Sequence, residues 1–288
     1  MKDLGELKYF LGIEFARSLQ GILMHQRKYT LELVSELGFG AAKPATTPIE
    51  VNVKLTTQEC DEHTSTINTL DDALLPDVTS YQRLLGKLLY LTVTRPDIAF
   101  SVQTLSQFMQ KPKKSYMEVA LRVVKYVKNH PGQGVLLSSQ KKSVISAFCD
   151  ADWAACPLTS KSVSGFFIKY GNLLISWKSK KQSTISRNSA ESEYRSIATT
   201  VVELVWIFGL LKDIGVVFEL PATIFIDSKA AIQGLIKTEY VGTKEQLADV
   251  LTKGLPRAQH EYLVSKLGLL NIFIPPSLRG IVETEGVT

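Results

Sequence analysis

Four acidic residues in the second half of the chain stand where they could do chemistry: Asp150, Glu193, Asp227 and Asp249. Their settings are Phe148-Cys149-Asp150-Ala151-Asp152, Ser192-Glu193-Tyr194-Arg195-Ser196-Ile197, Phe225-Ile226-Asp227-Ser228 and Leu247-Ala248-Asp249-Val250-Leu251. Asp150 and Asp227 each close an apolar run of strand type, which places a carboxylate at a sheet rim on a fixed backbone. Glu193 and Asp249 fall on runs of helical type. Carboxylates gathered from separate elements suit hard divalent cations. A pair of such cations can activate water and stabilise the leaving oxygen of a phosphodiester. Like charges repel unless cations neutralise them, so convergence of the four would itself point to metal. Taken singly, each acid has an ordinary structural role, as a turn former after a strand or as a cap and dipole partner in a first helical turn. Asp152 and Glu191 compete with Asp150 and Glu193 for the same places.

The elements that must position these acids can be read from periodicity. Ser143–Cys149 is strand-like. Val163–Tyr170 and Leu173–Lys178 predict a hairpin about Gly171-Asn172. Asn188 predicts a helix N-cap, with Glu191 three positions on as in a capping box. Tyr194, Ile197, Ala198, Val201, Leu204, Val205, Phe208 and Leu211 form an apolar stripe, and Gly215 predicts the stop. Thr223–Ile226 is a short strand. A helix over 228–236 and a strand over 237–241 follow. Thr243 with Gln246 predicts a second capping box and a helix that Gly254-Leu255-Pro256 closes. The order of three strands, helix, strand, helix, strand, helix predicts a mixed sheet with helices packed on it.

The first half reads differently. Residues 8–25 predict a β-hairpin and 29–37 a helix stopped by Gly38. Residues 41–79, rich in Thr, Pro, Asp and Glu, read as a long loop or linker. Two or three helices are predicted over 80–130. Leu84, Leu85, Leu88, Leu89 and Leu91 form one apolar face, and Val119, Val123, Val124 and Val127 another. The second is flanked by Lys111, Lys113, Lys114, Arg122, Lys125 and Lys128, a face for nucleic acid or for solvent.

Bulk properties bound the answer. The chain has 288 residues, 45% hydrophobic and 21% charged, as globular proteins have. No apolar run reads as long enough to span a bilayer, and the start lacks a signal-peptide layout. Three cysteines, Cys60, Cys149 and Cys156, have no metal-ligand spacing, and a reduced compartment fits them. Net charge is +5, and residues 141–258 hold 15 Lys/Arg against 11 Asp/Glu. That balance suits a polyanionic partner once four acids are bound to cations.

The acidic words belong to a longer ordered set. Phe148-Cys149-Asp150-Ala151-Asp152-Trp153-Ala154, Ser162-Val163-Ser164-Gly165-Phe166, Ile175-Ser176-Trp177-Lys178-Ser179-Lys180-Lys181-Gln182, Ser189-Ala190-Glu191-Ser192-Glu193-Tyr194 and Ala248-Asp249-Val250-Leu251-Thr252-Lys253-Gly254 resemble the type I ribonuclease H domain of copia-type LTR-retrotransposon polyproteins. Lys8-Tyr9-Phe10-Leu11-Gly12-Ile13-Glu14, Tyr81-Gln82-Arg83-Leu84-Leu85-Gly86 and Thr94-Arg95-Pro96-Asp97-Ile98 resemble the stretch after the polymerase palm. Asn271-Ile272-Phe273 and Pro276-Ser277-Leu278-Arg279-Gly280 resemble the family's C-terminal tail.

The resemblance implies an α/β fold: an RNase H-like mixed five-stranded sheet with flanking helices, preceded by a mostly helical reverse-transcriptase remnant with a β-hairpin. It divides the chain into 1–140 (reverse-transcriptase C-terminal part), 141–258 (RNase H-like domain) and 259–288 (C-terminal tail). It makes Asp150, Glu193, Asp227 and Asp249 the catalytic, metal-binding carboxylates. The implied cofactors are two Mg²⁺ ions, with Mn²⁺ as the alternative, and the substrate is the RNA strand of an RNA–DNA hybrid. Lys178, Lys180, Lys181 and Arg187 would contact its phosphates. Trp153, Trp177 and Trp206 are expected as core or support residues. An intracellular site, cytoplasmic or nuclear, is expected, with no membrane and no small-molecule cofactor. The paired polymerase aspartates belong upstream of Lys2-Asp3-Leu4-Gly5, so DNA synthesis is not expected. The interval from Asp227 to Asp249 is short for the family and no histidine lies between 130 and 260. The alternative is therefore a catalytically impaired, nucleic-acid-binding or inert remnant. A DDE-type transposase core fits the helix and terminal words less well.

Overall fold

The structure, a computed structural model, describes residues 5–51, 53, 55–57, 72–140, 142–227 and 236–272. Short strands open the chain: β1 (Tyr9–Phe10), β2 (Ile13–Ser18) and β3 (Gly21–His25) pair antiparallel in sequence order. The turn from β1 to β2 uses Leu11 and Gly12 at positive φ. Helix α1 (Arg27–Glu36) follows, and Gly38 in the left-handed conformation ends it, as predicted. Helix α2 (Val78–Leu91) is capped by Asp77, whose side chain accepts the Ser80 N–H at 3.1 Å. With α3 (Ala99–Ser106) and α4 (Lys114–Asn129) it forms a helical layer. Leu84, Leu85, Leu88 and Leu91 pack there against Val123, Val124 and Val127.

The structure adds to three expectations for the flanks. The predicted hairpin is part of a five-stranded sheet, ordered β1-β2-β3-β4-β10, completed by β4 (Gln133–Ser138) and β10 (Leu269–Asn271). Gly134 permits the β3–β4 contact, because a Cβ there would lie 2.0 Å from the Met24 carbonyl oxygen. The stretch from 259 read as a tail begins inside α6 (Arg257–Lys266) and continues into β10; residues 273–288 lie outside the described ones. The expected linker at 41–79 is anchored where it is described: Thr47, Pro48, Ile49 and Leu55 are buried. Arg122 donates to Thr47 O at 3.2 Å, Thr47 Oγ1 at 3.1 Å and Glu50 Oε1 at 2.7 Å. Asp72 accepts from the Ser115 N–H at 3.0 Å and from Ser115 Oγ at 2.7 Å. Several basic groups of α4 are thus engaged internally. Lys113 pairs with Asp72, and Lys128 donates to the carbonyls of Gly40 and Ala42.

The second sheet carries the acids. Strands β5 (Val144–Asp152), β6 (Val163–Tyr170) and β7 (Leu173–Lys181) are antiparallel; β8 (Glu219–Ile226) and β9 (Ile236–Tyr240) run parallel to β5. The order is β7-β6-β5-β8-β9. β8 is longer than the Thr223–Ile226 core predicted, and the helix predicted over 228–236 lies outside the described residues apart from Ile236, which is strand. Helix α5 (Ser189–Asp213) covers one face, burying Ile197, Leu204, Ile207 and Phe208 against Ile145, Cys149, Phe166, Ile168, Ile224 and Ile226. Contrary to the predicted stripe, Tyr194 and Val205 are exposed and Ile207 is buried. α5 is also long and apolar enough to cross a bilayer by length and composition, which the reading of apolar runs missed. Its inner face packs on this sheet.

On the opposite face Phe148, Phe167 and Trp177 meet Leu247, Val250, Leu251, Leu255, Leu263 and Leu267, together with Val135 of β4 and Leu269 of β10. One apolar cluster therefore joins both sheets. A buried polar network lies nearby. Arg95 holds Asp97 through two guanidinium nitrogens, at 2.9 and 2.7 Å, and donates to the His130 carbonyl at 3.1 Å. Tyr126 donates to Asp97 at 2.7 Å. The Thr-Arg-Pro-Asp-Ile word is thereby a fastener between the α2–α3 turn and α4.

Gly165 on β6 sets how closely the 247–251 segment approaches: a Cβ there would lie 2.5 Å from Leu251 Cβ and 3.0 Å from Thr252 Cγ2. Gly165→Val is expected to lower the unfolding free energy by about 1–3 kcal/mol through overpacking. Urea unfolding followed by circular dichroism measures this; an unchanged midpoint would show that the segment is not seated there.

Candidate metal centre

The two strand-borne acids are brought together by register. Phe148 lies opposite Phe225 on the parallel pair β5 and β8, and their rings stack at 4.8 Å. Asp150 and Asp227 stand two residues further along, so the pleat returns both to the same face. Asp150 is 2% exposed. Its backbone carbonyl accepts from Ser196 Oγ at 2.8 Å, and its Oδ2 accepts from Thr252 Oγ1.

Glu193 arrives from α5. Asn188 caps that helix, its side chain accepting the Glu191 N–H at 2.8 Å. Glu193 then lies just past the first turn, and its Oε1 accepts the Ala151 N–H at 3.3 Å. One carboxylate oxygen from each of Asp150, Glu193 and Asp227 lies within 4.8 Å of the other two. The remaining Glu193 oxygen, Oε2, is buried with no hydrogen-bond partner. Three converging carboxylates and an orphaned acceptor form an all-oxygen donor set, and these residues fit a hard divalent cation.

The competing acids separate clearly. Glu191 closes the cap: its Oε2 accepts the Arg187 N–H at 2.8 Å and its Oε1 accepts from Arg195 at 2.7 Å. Asp152, the last residue of β5, is not in the 4.8 Å group.

Asp249 differs from expectation in its surroundings. The predicted capping box and α-helix are replaced by two 3-10 turns, Thr243–Glu245 and Leu247–Leu251. The cause is Gln246, fully buried between them. Its amide donates to the carbonyls of Cys149 at 3.0 Å and Phe225 at 3.4 Å, and its oxygen accepts the Ala248 N–H at 3.2 Å. Gln246 thus splices the turn onto both acid-bearing strands and caps Leu247–Leu251 instead of serving as the capping-box partner of Thr243. Asp249, 4% exposed, lies outside the three-carboxylate group among the described residues. Lys253 Nζ sits 3.0 Å from Asp249 Oδ1 and 3.5 Å from Asp150 Oδ2.

Electrostatics follow from this crowding. Burial, with the charges of Asp150 and Asp227, pushes the Glu193 carboxyl up to about 8. Burial and Asp150 also raise Asp227, against the pull of Lys253. Asp249 is raised by burial and by Asp150, with Lys253 opposing. Asp152 is raised by burial. Burial would lower Lys253, but Asp150 and Asp249 outweigh it and hold the ammonium charged.

The basic residues sit apart from the acids. Lys178 and Lys180 are exposed on edge strand β7, paired with Phe166 and Ser164, whereas Asp150 shares a row with Gly165 and Ser179. That places the two lysines on the α5 face and Asp150 on the other. Lys181 Nζ is 3.8 Å from Cys156 Sγ, and Arg187 is exposed before α5. Trp177 donates to the Thr92 carbonyl at 3.0 Å and Trp153 to that of Ser186 at 3.0 Å, as supports do. Trp206 is 62% exposed, so its expected place in the core is corrected. Lys253, Thr252 and Gln246 were not singled out as site residues from the sequence. The spacing of Asp249 and Lys253, four apart, was the one signal available.

No family model matches the chain, and no solved structure matches it. Curated proteins do. The Retrovirus-related Pol polyprotein from transposon RE2 of Arabidopsis thaliana is 34% identical over 98% of this chain and 20% of its own length. That from transposon RE1 of the same plant is 34% identical over 96% of this chain and 20% of its own length. An uncharacterized mitochondrial protein of Arabidopsis thaliana is 37% identical over 72% of this chain and 80% of its own length. The chain spans about a fifth of the length of the Pol polyproteins it matches. With these matches running through both sheets and the acidic centre, the chain belongs to the family of copia-type retrotransposon Pol polyproteins.

Proposed function

We propose that this retrotransposon-derived chain is an RNase H-like nuclease that hydrolyses the RNA strand of RNA–DNA hybrids with two Mg²⁺ ions, Mn²⁺ serving as the alternative. The observation that carries the reading is the convergence of Asp150, Glu193 and Asp227 within 4.8 Å. A five-stranded mixed sheet with α5 across one face supports it. On this reading 141–258 is the nuclease domain, 1–140 derives from the polymerase, and DNA synthesis is not assigned.

Divalent cations at the acids would supply water activation and stabilise the leaving 3′ oxygen. The chain's own residues prepare that chemistry. Asp150 and Asp227 hold ligand oxygens on rigid strands. Glu193 keeps its proton at neutral pH until a cation displaces it. Lys178, Lys180 and Lys181 along the β7 edge, and Arg187 before α5, would meet phosphates. The buried free thiols of Cys149 and Cys156 suit a reduced compartment, cytoplasmic or nuclear. A second reading, a module that binds hybrids without cleaving them, is favoured by Lys253 lying between Asp150 and Asp249.

Hybrid cleavage with radiolabelled RNA separates the two. Cleavage that requires Mg²⁺ or Mn²⁺ and falls about 10³-fold in Asp150→Asn and Asp227→Asn is expected. Glu191→Gln, which keeps a capping side chain, is expected to stay within about threefold of the parent. Salt-sensitive hybrid binding with no cleavage in either metal would establish the second reading.

Stability supplies an independent check. Glu193 titrates near 8 in the folded protein against 4.5 when free. Between those values the folded state holds the extra proton, so metal-free protein loses stability as pH rises through that window. A divalent cation takes the deprotonated form, so its stabilisation should grow with pH. Thermal unfolding at pH 5 and pH 8, with EDTA or with Mg²⁺, is expected to show a larger Mg²⁺ effect at pH 8. Glu193→Gln should flatten the difference.

A further inference from the structure

We propose that Lys253 is a built-in counter-cation that occupies the position between Asp150 and Asp249, so that a second divalent ion binds only by displacing its ammonium. The inference rests on the metal-dependent reading above and assigns a positioning role that the acids alone do not reveal.

The geometry separates two halves of the acidic centre. Asp150, Glu193 and Asp227 share one space and leave Glu193 Oε2 unpartnered. Asp150 and Asp249 share another, and Lys253 Nζ fills it at 3.5 and 3.0 Å. The side chains of Asp150 and Asp249 are only 2% and 6% exposed there, so water screens them poorly. Asp150 belongs to both halves, and its Oδ2 is already engaged by Thr252 and Lys253. A cation entering the second half must compete with the resident ammonium for those oxygens, whereas one entering the first meets no basic side chain in ion-pair contact with Glu193 or Asp227 among the described residues.

Lys253 is placed to yield. Its side chain is 33% exposed, so the ammonium has a short route to solvent. Its backbone is not free to follow. The Lys253 N–H bonds to Asp249 O at 3.2 Å, and Gly254 lies so close to the chain at Glu50 that a Cβ would come within 2.6 Å of its carbonyl oxygen. Side-chain rotation alone opens the second half. The device keeps Asp150 and Asp249 together before metal arrives and makes occupancy sequential.

Calorimetric titration of Mn²⁺ into the EDTA-stripped full chain tests this without reference to activity. The parent is expected to bind one ion about tenfold or more tightly than a second, because only the second competes with a resident charge. Lys253→Met should tighten the second site about tenfold and leave the first within about threefold. Its metal-free thermal midpoint should fall and be regained with Mn²⁺. Should Lys253→Met fail to fold without metal, Lys253→Arg reads the same competition, its forked guanidinium weakening the second site by about threefold or more. Equal affinities at both sites in the parent, or a second site unmoved in folded Lys253→Met and Lys253→Arg, overturns the proposal. Absence of hybrid cleavage with the second-site shift present would instead sink the nuclease reading alone.

Discussion

Mutual repulsion among the carboxylates of Asp150, Glu193 and Asp227 is the constraint that the second sheet is built to withstand. Three such groups within 4.8 Å drift apart unless their backbones cannot move. The two aspartates are therefore held by their strand backbones, and Glu193 by its helix cap and by a backbone N–H that its carboxylate accepts. Asp150 lies inside the β5–β6 ladder opposite Gly165, and its carbonyl is held by Ser196. Asp227 directly follows the parallel β5–β8 ladder. Glu193 is aimed by the Asn188 cap and by the Ala151 N–H. The cost of the arrangement is visible in Glu193, which retains its proton up to about 8. That cost is the stored preference for a cation.

The far side of the centre depends on a less regular element. Leu247–Leu251 makes no strand or α-helix, so its position comes from packing and from Gln246. Its apolar residues meet the sheet where Gly165 leaves room. Behind it, α6, β4 and β10 supply the rest of the same cluster. The cluster behind the site is thus completed by segments from the middle of the chain and from residues 257–271. The buried Arg95–Asp97–Tyr126 network secures the helical half of that assembly. A pair so fully removed from water persists only because both charges and the Tyr126 hydroxyl are matched.

The misreadings share a physical origin. Thr243 and Gln246 have the spacing of a capping box, yet Gln246 found better partners in two strand carbonyls that local sequence cannot reveal. The α5 stripe was displaced because helix rotation is set by the sheet beneath it, which selects Ile207 over Val205. The 41–79 stretch reads as a loop by composition and is largely irregular where it is described, and Arg122 and Ser115 from a distant helix satisfy polar groups of Thr47, Glu50 and Asp72. In the first two cases a long-range partner overrode a local signal, and in the third it anchored a segment whose local reading stands.

The sequence by itself determined the order of the strands around α5, the Asn188 cap and the Gly38 stop, the strand-end placement of Asp150 and Asp227, the helical start near Glu193, and the ordered words that tie the chain to its family. These are local properties, carried by neighbours within a turn or a strand pair. Tertiary structure alone showed Glu191 committed to the cap, set Asp249 apart from the other three acids, and brought Lys253 between Asp150 and Asp249. Those outcomes depend on distances between residues up to about a hundred positions apart, such as Asp150 and Thr252. Only packing of the complete chain fixes such distances, because burial and charge act through space rather than along the backbone.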